Sequence, residues 1–250
     1  MALRAILFDL FDTLVDLHMD HLPAVEVGGR RFPSTLGALH RAASPWTGAP
    51  LEEFAAALRA SDAELHRSHW AQGRELPTRL RFEVFCRGFG IAAPEAPEVL
   101  TLTHMSQLRA QMRIVPHHAQ LLERLRARWP LALVSNFSHA PTAQAVLRQA
   151  GLAAPLDPVV ISEQVGIRKP RPEIFEVALA RLGLAPDEVV HVGDDLVADV
   201  SGAAGLGIRT VWVTRRKADP ESLLAAHPGA RPTHRIADLE ELPAWLEAQA

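Results

Sequence analysis

Near the start of the chain four apolar residues, Ala5-Ile6-Leu7-Phe8, end abruptly in Asp9. The run is too short for a helix and shows no polar alternation, so it reads as a strand covered on both faces, as in a parallel sheet. Parallel strands need long crossovers, usually helical, so the rest of the chain should alternate strands with helices. A carboxylate at the carboxyl end of such a strand lies on the edge where open α/β sheets place their chemistry.

From His117 onward the pattern is as required. An amphipathic helix begins there and carries Leu121, Leu122, Leu125 and Trp129, and the strand Leu131–Val134 ends at Ser135-Asn136. A helix starting at Pro141 stops at Gly151, and Pro158–Ile161 reads as a strand. The helix Pro172–Leu182 stops at Gly183, and the strand Glu188–Val192 ends at Gly193-Asp194-Asp195. A helix over Leu196–Ala204 and a strand over Ile208–Val213 follow. The tail gives a short helix, a weak strand at His234–Ile236 and a last helix around Leu239–Leu246. Between about residues 17 and 113 no strand pattern stands out: loop with short helical pieces gives way to helices near 51–70, 78–88 and 97–112. The expected fold class is therefore α/β. A Rossmann-like parallel sheet core is built from residues 1–16 and 114–250, and an all-helical subdomain is inserted over 17–113.

Composition narrows the function classes. The formal net charge of the 250-residue chain is -3, with no basic excess to suggest nucleic acid or an anionic membrane surface as a partner. No apolar stretch approaches the roughly 20 residues that span a bilayer, and the first residues lack a secretory cleavage pattern. Cys86 is alone and cannot form an internal disulfide. The expectation is a soluble cytoplasmic protein.

Parallel strands align their carboxyl ends, so Asp9, Ser135-Asn136 and Asp194-Asp195 should converge on one edge. Gly166-Ile167-Arg168-Lys169-Pro170 follows the strand at Pro158, and Pro170 and Pro172 keep that segment extended, aiming Lys169 at the same crevice. Crowded carboxylates repel unless a cation offsets them, and Mg²⁺ suits an oxygen-only site. Carboxylate attack on an electrophile whose charge is balanced by metal and lysine is the chemistry suggested, and phosphoryl transfer fits it.

These segments together resemble the haloacid dehalogenase-like hydrolase superfamily, in the branch with a helical cap inserted after the first strand. The resemblance runs over nearly the whole chain: Phe8-Asp9-Leu10-Phe11-Asp12-Thr13-Leu14-Val15-Asp16, Val134-Ser135-Asn136, Arg168-Lys169-Pro170 and His191-Val192-Gly193-Asp194-Asp195 stand for its four motifs. It implies a Mg²⁺-dependent phosphatase acting on a small phosphorylated metabolite through an aspartyl-phosphate on Asp9. Ser135 and Lys169 would serve the transferring group, and Thr13 and Asn136 would help to bind it. The metal would be held by Asp9, the Phe11 carbonyl, Asp194 and Asp195, with Asp195 or Asp199 in supporting positions.

One departure stands out. The family's phosphatases carry a second Asp two residues after the nucleophile, as acid for the leaving group. Here that residue is Phe11, and the carboxyl comes one residue later, at Asp12. Adjacent residues of an extended segment face opposite sides, so a catalytic role for Asp12 requires the loop to shift. An aromatic residue there also resembles the family's 2-haloacid dehalogenases, in which Asp9 would attack carbon without a metal. Against that, Gly193-Asp194-Asp195 crowds carboxylates where a haloacid's own carboxylate would have to bind. A third reading keeps the fold and metal site in a binding protein with little turnover.

Overall fold

The computed structural model describes residues 3–249. Residues 1, 2 and 250 of the expected core lie outside that range. The strands are β1 (Ala5–Phe8), β2 (Val15–Leu17), β3 (Ala24–Val27), β4 (Arg30–Pro33), β5 (Met112–Ile114), β6 (Leu131–Ser135), β7 (Val159–Ile161), β8 (Val189–Gly193), β9 (Arg209–Val213) and β10 (His234–Ile236). Two compact units result: Met1–Asp16 with Ile114–Ala250, and Leu17–Arg113.

The first unit holds a six-stranded sheet of order β10-β9-β8-β1-β6-β7. Every pairing in it is parallel. β1, β6 and β8 are buried along their whole lengths, as the apolar runs of β1 and β6 require, and β8 buries His191 along with its valines. Helices cover the faces. Pro172–Leu182, for example, puts Ile174, Phe175, Ala178 and Leu179 against Leu7, Val134 and Val160. Full burial of one such side chain contributes about 1.5–3 kcal/mol.

Chain order reverses at β1. β6 and β7 are added on one side of it and β8, β9 and β10 on the other, and such a switch point opens a crevice at the strand ends. Phe8 pairs with Leu133 on one flank and Val192 on the other. Asp9 therefore leaves the sheet between Val134-Ser135 and Gly193-Asp194, its amide still bonded to the Val192 carbonyl at 2.9 Å.

The inserted unit is helical, with helices Leu36–Ala43, Leu51–Ser68, Thr78–Phe89 and Ala96–Ala110 around Phe54, Phe82, Phe85 and Leu100. It is not all-helical. β3 and β4 form an antiparallel hairpin through Gly28-Gly29, whose φ angles of 58° and 72° suit the two-residue turn that matches strand twist. Val25 and Val27 alternate inward against exposed Ala24 and Glu26. Four residues of alternation flanked by Arg30-Arg31 are too faint to separate from loop by pattern alone.

After β8 the expected plain helix begins instead as a π-helical turn, Leu196–Ser201, before Gly202–Ala204. The wide turn brings Asp199 back beneath the strand end, where its Oδ2 accepts the Asp195 amide at 3.0 Å. Gly193 leaves the space for it: a Cβ there would stand 2.3 Å from Asp199 Cγ. We expect Gly193→Ala to lower unfolding stability by roughly 2–4 kcal/mol in urea titration, because it must evict a buried, hydrogen-bonded carboxylate.

Candidate active site

Lys169 is the centre of the strand-end crevice. Its ammonium, almost wholly buried, lies 2.7 Å from Asp9 Oδ1 and 2.6 Å from Asp199 Oδ1. Asn136, just past β6, fixes the lysine's backbone. Its Oδ1 accepts the Lys169 amide at 2.8 Å and its Nδ2 donates to the Lys169 carbonyl at 2.9 Å. Both ends of the Asn136 amide are thus taken by the Lys169 backbone, where the sequence reading has it on the substrate.

Asp199 has three partners. Besides Lys169 and the Asp195 amide it accepts from His191 Nε2 at 2.8 Å, and His191 is fully buried within β8. Burial alone would raise Asp199, but Lys169 and His191 outweigh it and hold the group below the usual carboxylate range. Burial lowers His191 and keeps it a neutral ring, against the pull of Asp199. Burial also disfavours the charged form of Lys169, yet Asp199 and Asp9 raise it overall, so it stays an ammonium.

Asp194 joins the same cluster, with carboxylate oxygens of Asp9, Asp194 and Asp199 all within 4.8 Å of one another. Lys217, beyond the end of β9, reaches Asp194 Oδ2 at 2.6 Å. Two ammonium groups offset three carboxylates incompletely, and the shortfall appears as bound protons. Burial pushes Asp9 up to about 8, with Asp199 and Asp194 adding to it against Lys169. Burial and Asp199 likewise push Asp194 up to about 6, against Lys217. A divalent cation would supply the missing positive charge, and the donors are the hard oxygens that Mg²⁺ prefers. The turn after β1 bonds through the Leu10 and Val15 carbonyls. Thr13 Oγ1 and Ser135 Oγ are buried without a hydrogen-bond partner among the described residues, so the edge holds unspent donors beside the carboxylates.

Two expectations are corrected. Asp195 stays outside the carboxylate cluster: its Oδ1 caps the following turn, accepting from the amides of Val197 and Ala198 at 2.8 and 2.7 Å. Asp12 takes a left-handed backbone, φ 62°, and pairs with Arg216 Nε at 3.1 Å. The Phe11 ring packs on Phe137 with centroids 4.7 Å apart. His117 and His118 lie in the first turn of the helix Pro116–Arg126. His118 is buried and its Nδ1 lies 2.9 Å from the Leu14 carbonyl. Arg216 and Lys217 were missed, although the rule that strand ends collect functional groups applies equally to Thr214-Arg215-Arg216-Lys217 after β9.

The sequence pattern of haloacid dehalogenase-like hydrolases matches residues 3–207. The chain belongs to this family. Phosphoserine phosphatase of Thermus thermophilus is 39% identical over 153 residues, a match spanning 60% of this chain and 57% of that relative, little more than half its length. Ribulose-1,5-bisphosphate 5-phosphatase of Halopiger xanaduensis is 32% identical over 83% of each chain. (S)-2-haloacid dehalogenase H-109 of Pseudomonas putida is 26% identical over 98% of each. This haloacid dehalogenase-like hydrolase thus has both phosphatases and dehalogenases among its relatives.

The hydrolase's buried carboxyls make its stability pH-dependent in a definable window. Groups raised above the unfolded value of 3.8 stabilise the fold below that pH, and the contribution is lost as pH rises through about 6 for Asp194 and about 8 for Asp9. Neutral buried histidines act oppositely, but only below their unfolded value of 6.5. Between about pH 7 and 9 the metal-free protein should therefore lose melting temperature, and Asp9→Asn should flatten that slope.

Proposed function

We propose that the protein is a Mg²⁺-dependent phosphatase that acts on a small phosphorylated metabolite in the cytoplasm. The observation that carries this reading is the convergence of Asp9, Asp194 and Asp199 on Lys169 with one negative charge left uncompensated. Asp9, Asp194 and the Phe11 carbonyl would hold the cation, which when bound offsets charge on the phosphoryl group and returns Asp9 to its ionised form.

Asp9 is the nucleophile in this reading and forms the aspartyl-phosphate. Lys169 orients Asp9 through one hydrogen bond and is itself fixed by Asn136 and Asp199. Ser135 and Thr13 donate their unspent hydroxyls to the phosphoryl oxygens. That no helix among the described residues is long and apolar enough to cross a membrane suits a substrate met in solution.

The second reading, 2-haloacid dehalogenation, is favoured by the Phe11–Phe137 ring pair, since halide leaves without a proton. The carboxylate cluster weighs against it: an anionic haloacid would enter beside three carboxylates that Lys169 and Lys217 offset only in part. Purified protein should release phosphate from 4-nitrophenyl phosphate with Mg²⁺, lose the activity in chelator, and lose it by at least about 10³-fold in Asp9→Asn. Halide release from 2-chloropropionate in chelator, with no phosphate release, would replace this reading by the second.

A further inference from the structure

The substrate's leaving group can be read from what stands where an acid is needed. A phosphate ester of an alcohol leaves as alkoxide unless it is protonated, and such help is typically worth 10²–10⁴-fold. Two residues after Asp9 the chain carries Phe11, whose ring is tilted against that of Phe137. Asp12 cannot slip into that place. The Asp12 amide bonds the Val15 carbonyl at 2.7 Å, and the Leu14 and Val15 amides bond the Leu10 carbonyl at 2.8 and 2.9 Å. Thr13, Leu14 and Val15 are buried, so a one-residue shift would expose them in turn. The Asp12 carboxylate meanwhile accepts from the Arg216 guanidinium.

The other carboxylates at these strand ends are also committed as acceptors. Asp194 is taken by Lys217 and Asp199 by Lys169, His191 and the Asp195 amide. Asp195 is taken by the amides of Val197 and Ala198, and Glu163, after β7, by that of Ala140. Among the described residues at these strand ends, each of these carboxyl groups thus already serves another partner, and none is left to act as the acid for the leaving oxygen.

From this we infer that the substrate is an acyl phosphate, a mixed anhydride of phosphoric and carboxylic acids, whose leaving oxygen departs as a stable carboxylate. The inference rests on the phosphatase reading above. In the first step an Asp9 oxygen bonds to phosphorus while the bond from phosphorus to the acyl oxygen breaks, its electron pair leaving on the carboxylate. No proton is required. In the second step water bonds to phosphorus, the bond to Asp9 breaks with its electron pair returning to the Asp9 carboxylate, and both hydrogens of the water leave on dihydrogen phosphate. The group absent at Phe11 would also have served as base for that water, so the second step is slow and the phosphorylated enzyme accumulates.

The test compares kcat/KM, with Mg²⁺ present, for acetyl phosphate, 4-nitrophenyl phosphate, phenyl phosphate and glycerol 3-phosphate. An enzyme with an acid in place levels such a series. Here kcat/KM should fall steeply along it, with acetyl phosphate ahead of glycerol 3-phosphate by more than about 10²-fold. 4-Nitrophenol should appear in a burst matching the enzyme concentration. Phe11→Asp should narrow the gap by at least about tenfold and shrink the burst. Glycerol 3-phosphate turnover within about tenfold of acetyl phosphate, and without a burst, would overturn the inference while leaving a phosphatase. Absence of phosphate release from all four compounds would remove the phosphatase reading itself, and this inference with it.

Discussion

The site depends on one buried ammonium group. Lys169 sits between Asp9 and Asp199 at hydrogen-bond distance from both, in a place where an unpaired carboxylate would carry a desolvation penalty of several kcal/mol. Three segments far apart in the chain are thereby held in one arrangement: the end of β1, the loop before the helix Pro172–Leu182, and the turn after β8. Removing the lysine would leave two buried carboxylates facing each other. For this reason Asn136 spends both ends of its amide on the lysine's backbone, and His191, deep in β8, backs the far carboxylate.

The fold makes this arrangement possible through two local devices. The reversal of strand order at β1 opens the edge, so that loops from both flanks meet there. The π-helical turn after Asp195 then returns Asp199 under the strand end, into space that only a glycine at 193 leaves open. Basic residues after β9 complete the electrostatics. Arg215 pairs with Asp16, Arg216 with Asp12 and Lys217 with Asp194. Consecutive cations in one short loop thus answer carboxylates from two separate motifs.

Much of this was legible in the sequence. Unbroken apolar runs at Ala5–Phe8 and Leu131–Val134 can hardly be anything but buried parallel strands, Val189–Val192 joins them although His191 interrupts it, and each leads into a polar residue. Asp9, Ser135 and Asp194 follow from that rule, and Lys169 from the prolines that extend its segment toward the same edge. What was not legible depends on local geometry without a periodic signature. The hairpin at Gly28-Gly29 is too short to alternate clearly, and the π turn is chemically indistinguishable from a helix. Asp195 and Asp199 are equivalent as letters, and only the turn decides that one caps a helix while the other meets Lys169. Asp12 likewise looks available until its left-handed backbone and its guanidinium partner are seen.

Everything proposed for this site requires an Asp9 carboxylate oxygen to take the phosphoryl group. The most direct test of this is mass spectrometry of the protein after rapid acid quench from acetyl phosphate and Mg²⁺, with peptides mapped across residues 1–16. The account predicts the mass of one phosphoryl group on the peptide bearing Asp9, absent in chelator and removed by hydroxylamine, as an acyl phosphate requires. An unmodified Asp9 peptide from protein that is releasing phosphate, or a phosphoryl group found on another residue, would contradict it.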